Sequence, residues 1–210
     1  HWVSIKQIPF QMPVPTHNQR TQIRKQIEIQ TNKLAGNECN ISSEPIYLKI
    51  YAENIPNLTL VDLPGMTMVA CTDRGQPADI KQKINSLISS YIEIPKTIIL
   101  AVLPARTDIE ADMAMELIKQ HDPRGQRTIG ILTKVDLMNT NTDICDYLEN
   151  RVSKDLMLQH GYFTVRNRTT QETSHLTVLQ GFQKEKDFFQ NHTVYKNMKD
   201  TNPRTRYYCK

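Results

Sequence analysis

Between Ile46 and Gln190 the chain alternates short β-prone runs with stretches of helical apolar spacing, and three of those runs end directly in a polar motif. That order calls for an α/β fold: a largely parallel sheet wrapped by helices in three layers, with one antiparallel edge. In such sheets ligands bind beyond the carboxyl ends of the strands. The three motifs, Asp62-Leu63-Pro64-Gly65, Thr133-Lys134-Val135-Asp136 and Arg166-Asn167-Arg168-Thr169, are therefore expected on one rim.

The individual elements follow from local pattern. Ile46 to Tyr51 alternates apolar and polar residues and reads as a half-buried strand. Through the link Glu53 to Asn57 it leads into Leu58-Thr59-Leu60-Val61, and the two runs read as an antiparallel hairpin that delivers Asp62 at its tip. Pro77 suits a first helical turn, followed by the stripe Ile80, Ile84, Leu87, Ile88 and Tyr91. Thr97 to Leu103 is a continuous β-prone run, expected to be covered on both faces. Glu110 to His121 predicts a helix packing through Met113, Leu117 and Ile118, and Thr128 to Leu132 another buried strand. Thr142 to His160 carries Ile144, Leu148, Val152 and Leu156 at helical spacing and closes at Gly161. Tyr162 to Val165 predicts a last strand, and Leu176 to Gln190 a last helix packing through Leu179, Phe182 and Phe189.

The N-terminal stretch is less regular. His1 to Pro15 holds three prolines and reads as strand fragments or loop, whereas Thr16 to Ala35 places Ile23, Ile27 and Leu34 on one helical face, with Gly36 as its stop. Arg20, Arg24 and Lys25 lie off that stripe and read as a solvated surface, not a nucleic-acid face. The expected organisation is an N-terminal remnant over 1–36, a core over 37–192 and a basic tail over 193–210. A first residue His1, not Met, suggests a piece of a longer protein.

Composition excludes several classes. Hydrophobic residues at 39% and charged residues at 23% are ordinary for a globular chain, and a formal charge of +4 is too weak to imply a nucleic-acid or membrane partner. The longest apolar run, Ile98 to Leu103, is far too short to span a bilayer. Cys39, Cys71, Cys145 and Cys209 show no paired spacing and read as free thiols of a reducing compartment. With no secretory signal, the N-x-[ST] matches at Asn40, Asn57, Asn167 and Asn191 read as coincidental.

The motifs carry the chemistry. An aspartate at a strand end, such as Asp62, can hold magnesium through water beside a triphosphate, and Gly65 lets a backbone N–H approach a phosphate with no Cβ in the way. The same four residues also suit a plain strand-to-loop turn. In Thr133-Lys134-Val135-Asp136, a carboxylate can accept from guanine N1–H and its amino group, a donor pair adenine lacks, while a lysine stem covers the base. The polar loop Arg166 to Thr169 could close a pocket over base or ribose, or simply lead into a helix.

The order of these motifs resembles the GTPase domain of the dynamin superfamily, which includes dynamins and Mx proteins. The similar stretches are Asn57 to Thr67, Gln76 to Ile80, Asp122 to Met138, Gly161-Tyr162 and Asn167-Arg168, within a span of about Leu34 to Lys199. The resemblance implies a P-loop GTPase-like fold, here N-terminally incomplete, and a site for GTP with Mg2+. It implies that Asp62 is the water-mediated magnesium partner, that Leu63, Pro64 and Gly65 border the phosphates with Gly65 next to the reacting γ-phosphate, that Thr133, Lys134, Val135 and Asp136 surround guanine, and that Asn167 and Arg168 close the pocket. It also implies self-association through the nucleotide face, with Asp112 at a position that reaches across that interface, although Asp112 reads equally as a solvent-facing helix carboxylate.

The departures are as informative. With seven glycines the chain offers no G-x-x-x-x-G-K-[ST] phosphate loop, and no switch threonine can be identified; Met68 and Thr170 stand where dynamins usually carry lysine and glutamine. Phosphoryl transfer rests on positioning and charge neutralisation, so the 210-residue chain by itself is expected not to turn GTP over. The parent is expected to be a cytoplasmic GTPase, peripheral at intracellular membranes through parts outside this chain. It would couple hydrolysis to membrane remodelling, with a microtubule or other filament as a further target open to it. The alternative is a degenerate, non-catalytic interaction or dimerisation module. Nucleic-acid binding through the basic helix and the tail Lys196 to Lys210 would rest on charge alone and is not expected.

Overall fold

The computed structural model describes residues 2–5, 10–13, 17–35, 40–51, 56–66, 70, 72, 75–139 and 141–199. Expectations for Gly36, Cys39, Met68, Cys71, Cys209 and the tail beyond Lys199 lie outside them. The chain divides into two compact units, His1–Ile88 and Ser89–Lys210.

In the first unit, β1 (Trp2–Ile5) pairs antiparallel with both β2 (Phe10–Pro13) and β3 (Leu48–Tyr51). Helix α1 runs over His17–Ala35, as its spacing predicts, with Ile23, Ile27 and Leu34 half-buried and Arg24 and Lys25 in solvent. The expected hairpin is not formed. All four residues of β3 are exposed, its partner is β1, and residues 56–66 have no regular secondary structure. Leu58 and Leu60 are 69% and 75% exposed, because a β-prone run becomes a strand only where a neighbouring edge takes its hydrogen bonds. Helix α2 (Ile80–Ile92) runs across the division between the units. Pro77 accepts from the Ile80 N–H, Asp79 pairs with Lys83 at 3.1 Å, and Ile80, Ile84 and Ile92 are buried.

The second unit is the parallel α/β part. Its sheet has the order β4 (Ile99–Pro104), β5 (Thr128–Thr133), β6 (Tyr162–Val165), all parallel. Pro104 stands opposite Thr133, and Thr133 opposite Val165, so the three carboxyl ends are level. Helix α3 (Met113–His121) lies against β4, and the single turn α4 (Cys145–Leu148) lies against β6. Asp112 caps α3, its side chain accepting from the Ala114 N–H at 2.8 Å, and Met115, not Met113, joins Leu117 and Ile118 in the core. Ile99, Ala101 and Leu103 are buried while Ile98, Leu100 and Val102 are more than half exposed. The expected double coverage of this strand fails: burial alternates along β4, so among the described residues only one of its faces is covered.

The start of β5 is anchored by a buried acid. Asp122 accepts from the Gln126 N–H at 2.9 Å, the Arg127 N–H at 3.0 Å and the Thr128 hydroxyl at 2.7 Å. Arg127 then donates to the Thr97 carbonyl at 3.2 Å and the His121 carbonyl at 2.8 Å, fastening β5 to the chain before β4 and to the end of α3.

Two helices differ from expectation. Residues 142–160 contain only the turn α4, although Ile144, Leu148 and Leu156 are buried as their spacing suggests. Asn150 breaks the helix: it sits at φ 57°, and its side-chain amide bonds the Leu158 backbone in both directions. The last helix is two helices, α5 (Thr170–His175) and α6 (Val178–Asn191), each started by a capping box, Thr169 with Glu172 and Thr177 with Gln180. On α6 only Gly181 and Phe189 are buried; Leu179 and Phe182 face solvent. A 3-10 turn over Tyr195–Lys199 packs back on α6, with the Tyr195 ring stacked on His192 at 4.2 Å. Burial pushes the Cys145 thiol up to about 12, with the neighbouring Asp143 adding to it, so this free cysteine stays protonated. Among the described residues no helix is long and apolar enough to cross a membrane.

Candidate functional site

The level strand ends bring two of the three motifs together. Backbone and hydroxyl bonds set their base: Thr133 Oγ1 donates to the Leu103 carbonyl at 3.1 Å, the Ala105 N–H donates to the Thr133 carbonyl at 2.7 Å, and Thr164 Oγ1 donates to the Leu132 carbonyl at 3.0 Å. Asp62 to Gly65 belong to the other unit.

After Thr133 the strand stops abruptly. Lys134 takes a left-handed conformation, φ 58° and ψ 32°, and starts a 3-10 turn over Val135–Leu137. A non-glycine residue in that region carries a local strain of about 1–3 kcal/mol, of the kind concentrated at functional sites. The turn buries Val135 as an apolar anchor and leaves Lys134 exposed. Asp136 is held at the rim with 18% of its side chain exposed. Thr133 and Val135 thus serve the scaffold, and Lys134 and Asp136 are presented.

The loop after β6 supplies the facing side. Arg166 Nε lies 3.6 Å from Asp136 Oδ2, and Arg166 Nη2 donates to Glu172 Oε1 at 3.0 Å. Lys184 donates to the same Glu172 oxygen at 2.9 Å, and the Arg166 N–H donates to Glu185 Oε1 at 2.8 Å. The Thr169 N–H donated into Glu172, together with Lys184 and Arg166, holds the Glu172 carboxyl at about 2. Burial pushes Glu185 upward against the pull of the Arg166 N–H and charge. Next to this network lies a shallow groove of about 500 Å³ lined by Arg166, Lys184, Asp187, Phe188, Asn191 and His192.

Asn167 is exposed, while Arg168 turns away to donate to the Leu176 carbonyl and lays its stem on Gly181, where a Cβ would come within 2.7 Å of it. In the first unit Asp62 is exposed, Leu63 and Pro64 are half-buried, and an added Cβ at Gly65 meets nothing within 4 Å. The backbone therefore does not itself require glycine there. The network of Arg166, Glu172, Lys184 and Glu185 was not legible as a site. Its available signal was the pair of capping boxes, Thr169-x-x-Glu172 and Thr177-x-x-Gln180, which mark two helix starts that bring these side chains together.

Parallel strands whose polar loops leave one rim, one of them carrying a shielded acid, define an α/β domain of the kind in which ligands sit beyond the strand ends. The sequence model of the dynamin family matches residues 11–135, and that of the dynamin central region matches residues 143–205. The chain belongs to the dynamin family. It is similar to Dynamin of Drosophila melanogaster, 43% identical over 180 residues, covering 85% of this chain and 20% of that protein. Dynamin-B of Dictyostelium discoideum is 45% identical over 175 residues, covering 83% and 18%. Dynamin-related protein DNM1 of Saccharomyces cerevisiae is 40% identical over 189 residues, covering 90% and 24%. The chain thus spans about a fifth of the length of these relatives.

Proposed function

We propose that this chain is the guanine-recognising part of a dynamin-like GTPase, whose full-length form couples GTP hydrolysis to membrane remodelling. One observation carries the reading. Asp136 stands three residues past Thr133, largely shielded from solvent, and among the described residues no donor hydrogen-bonds to its carboxylate. Such a group can accept from guanine N1–H and the exocyclic amine together, and adenine would leave it facing the wrong edge. Lys134 is exposed beside it, with a stem that can cover the flat base. Asn167, exposed on the neighbouring loop, would close the pocket edge, with Arg168 bracing that loop from behind. The family relationship supports GTP and GDP as the ligands.

On the phosphate side, Gly65 offers open space above its Cα, which suits a backbone N–H meeting a phosphate oxygen, with Leu63 and Pro64 shaping the turn. Among the described residues no group of three or more His, Cys, Asp or Glu side chains converges as a metal cage. The exposed Asp62 carboxylate suits magnesium as one hard oxygen donor acting through water. A bound magnesium ion would neutralise phosphate charge there.

Self-association through the nucleotide face, with Asp112 reaching across it, and a cytoplasmic, membrane-peripheral setting complete the proposal. The test is Asp136→Asn in the full-length protein. GTP affinity is expected to fall at least about tenfold while xanthosine triphosphate gains, because the amide offers a donor where the purine 2-position then carries an oxygen. An unchanged preference would remove Asp136 from base recognition.

A further inference from the structure

We propose that Arg166 is a positioning residue for base selection, acting through Asp136; the proposal rests on the reading of Asp136 given above. Three observations separate this pair from an ordinary surface ion pair. The Arg166 and Asp136 side chains are only 14% and 18% exposed, so solvent screens their attraction weakly. The guanidinium is pinned on its far side, with Nη2 on Glu172, itself held by Lys184 and by the Thr169 N–H. The Arg166 backbone is fixed in turn by Glu185 of α6. At 3.6 Å the contact with Asp136 Oδ2 is an ion pair without hydrogen-bond geometry, so the lone pairs of both oxygens stay available to a base.

Arg166 thereby orients the acid while leaving its hydrogen-bonding capacity for the ligand. Its guanidinium also links the loop after β5 to α5, one planar group facing the carboxylates of Asp136 and Glu172 at once. A lysine at this position could serve only one of them.

The experiment measures binding of N-methylanthraniloyl-GDP and N-methylanthraniloyl-XDP to the full-length protein carrying Arg166→Met or Arg166→Lys, each in the native and the Asp136→Asn background. Arg166→Met is expected to weaken the guanine probe about tenfold, and Arg166→Lys about threefold. In the Asp136→Asn background neither change should move affinity for the xanthine probe, because the partner charge is already gone. A purely structural role would lower affinity equally in both backgrounds and would overturn the proposal, as would unchanged guanine binding in the variants. Should Arg166→Met not fold, Arg166→Lys decides by the same comparison. If the native protein does not bind the guanine probe, or Asp136→Asn does not favour the xanthine probe, the underlying reading fails, a result that needs no Arg166 variant to see.

Discussion

Removing the Asp122 carboxylate probes how the parallel sheet is anchored. The side chain is buried and accepts three hydrogen bonds, from the N–H groups of Gln126 and Arg127 and from Thr128 Oγ1, whose residue is fully buried. Burial by itself would raise its pKa, but the Thr128 hydroxyl, the two N–H groups and the Arg127 charge outweigh it and hold the carboxyl below its usual range. Asp122→Ala leaves those donors without an acceptor, and the Thr128 hydroxyl among them is fully buried. At about 1–1.5 kcal/mol for each stranded donor, the expected loss is about 3–4.5 kcal/mol. Asp122→Asn keeps one oxygen but turns an amide N–H2 toward donors, for an expected loss of about 2 kcal/mol. Adding Thr128→Val to Asp122→Ala removes one stranded donor and should recover about 1 kcal/mol. Urea unfolding of the chain followed by circular dichroism measures all three. A loss below about 1 kcal/mol for Asp122→Ala, or no recovery in the double variant, would refute the argument from stranded donors.

Two further outcomes follow from the same packing. A Cβ added at Gly130 would sit 2.2 Å from Tyr162 Cδ1, and that ring is buried with its hydroxyl donated to the Leu156 carbonyl at 2.7 Å. Gly130→Ala should therefore cost about 2–3 kcal/mol in urea unfolding, and a neutral result would mean that the ring moves freely. Glu172 titrates at about 2 against an ordinary 4.5, so its contribution is complete above pH 4.5 and is lost as pH falls toward 2. Glu172→Gln should flatten acid unfolding across that window, and an acid titration identical to the native protein's would contradict the role given to this carboxylate.

Local pattern alone carried much of the fold. The runs that became β4, β5 and β6, the stripe of α2, and the end of α3 at His121 all lie within windows of a few residues, where period and flanking turn residues speak directly. The carboxyl-end convergence of Thr133 to Asp136 and Arg166 to Arg168 also followed from strand order, because parallel strands in register must end on one rim.

What the sequence determined by itself was where the chain prefers β or helical geometry and which polar residues follow the strand ends. Only tertiary structure decided whether those preferences found partners. Leu58 to Val61 remains exposed, with β3 paired to β1; Asn150 turns residues 142–160 from helix to loop; Leu179 and Phe182 face solvent, although their spacing suits a core. The pairing of Arg166 with Asp136 belongs to the same class, because it joins residues 30 positions apart that no local window contains. Periodicity is a property of neighbours along the chain, whereas burial, strand pairing and ion pairing depend on groups that only folding brings close.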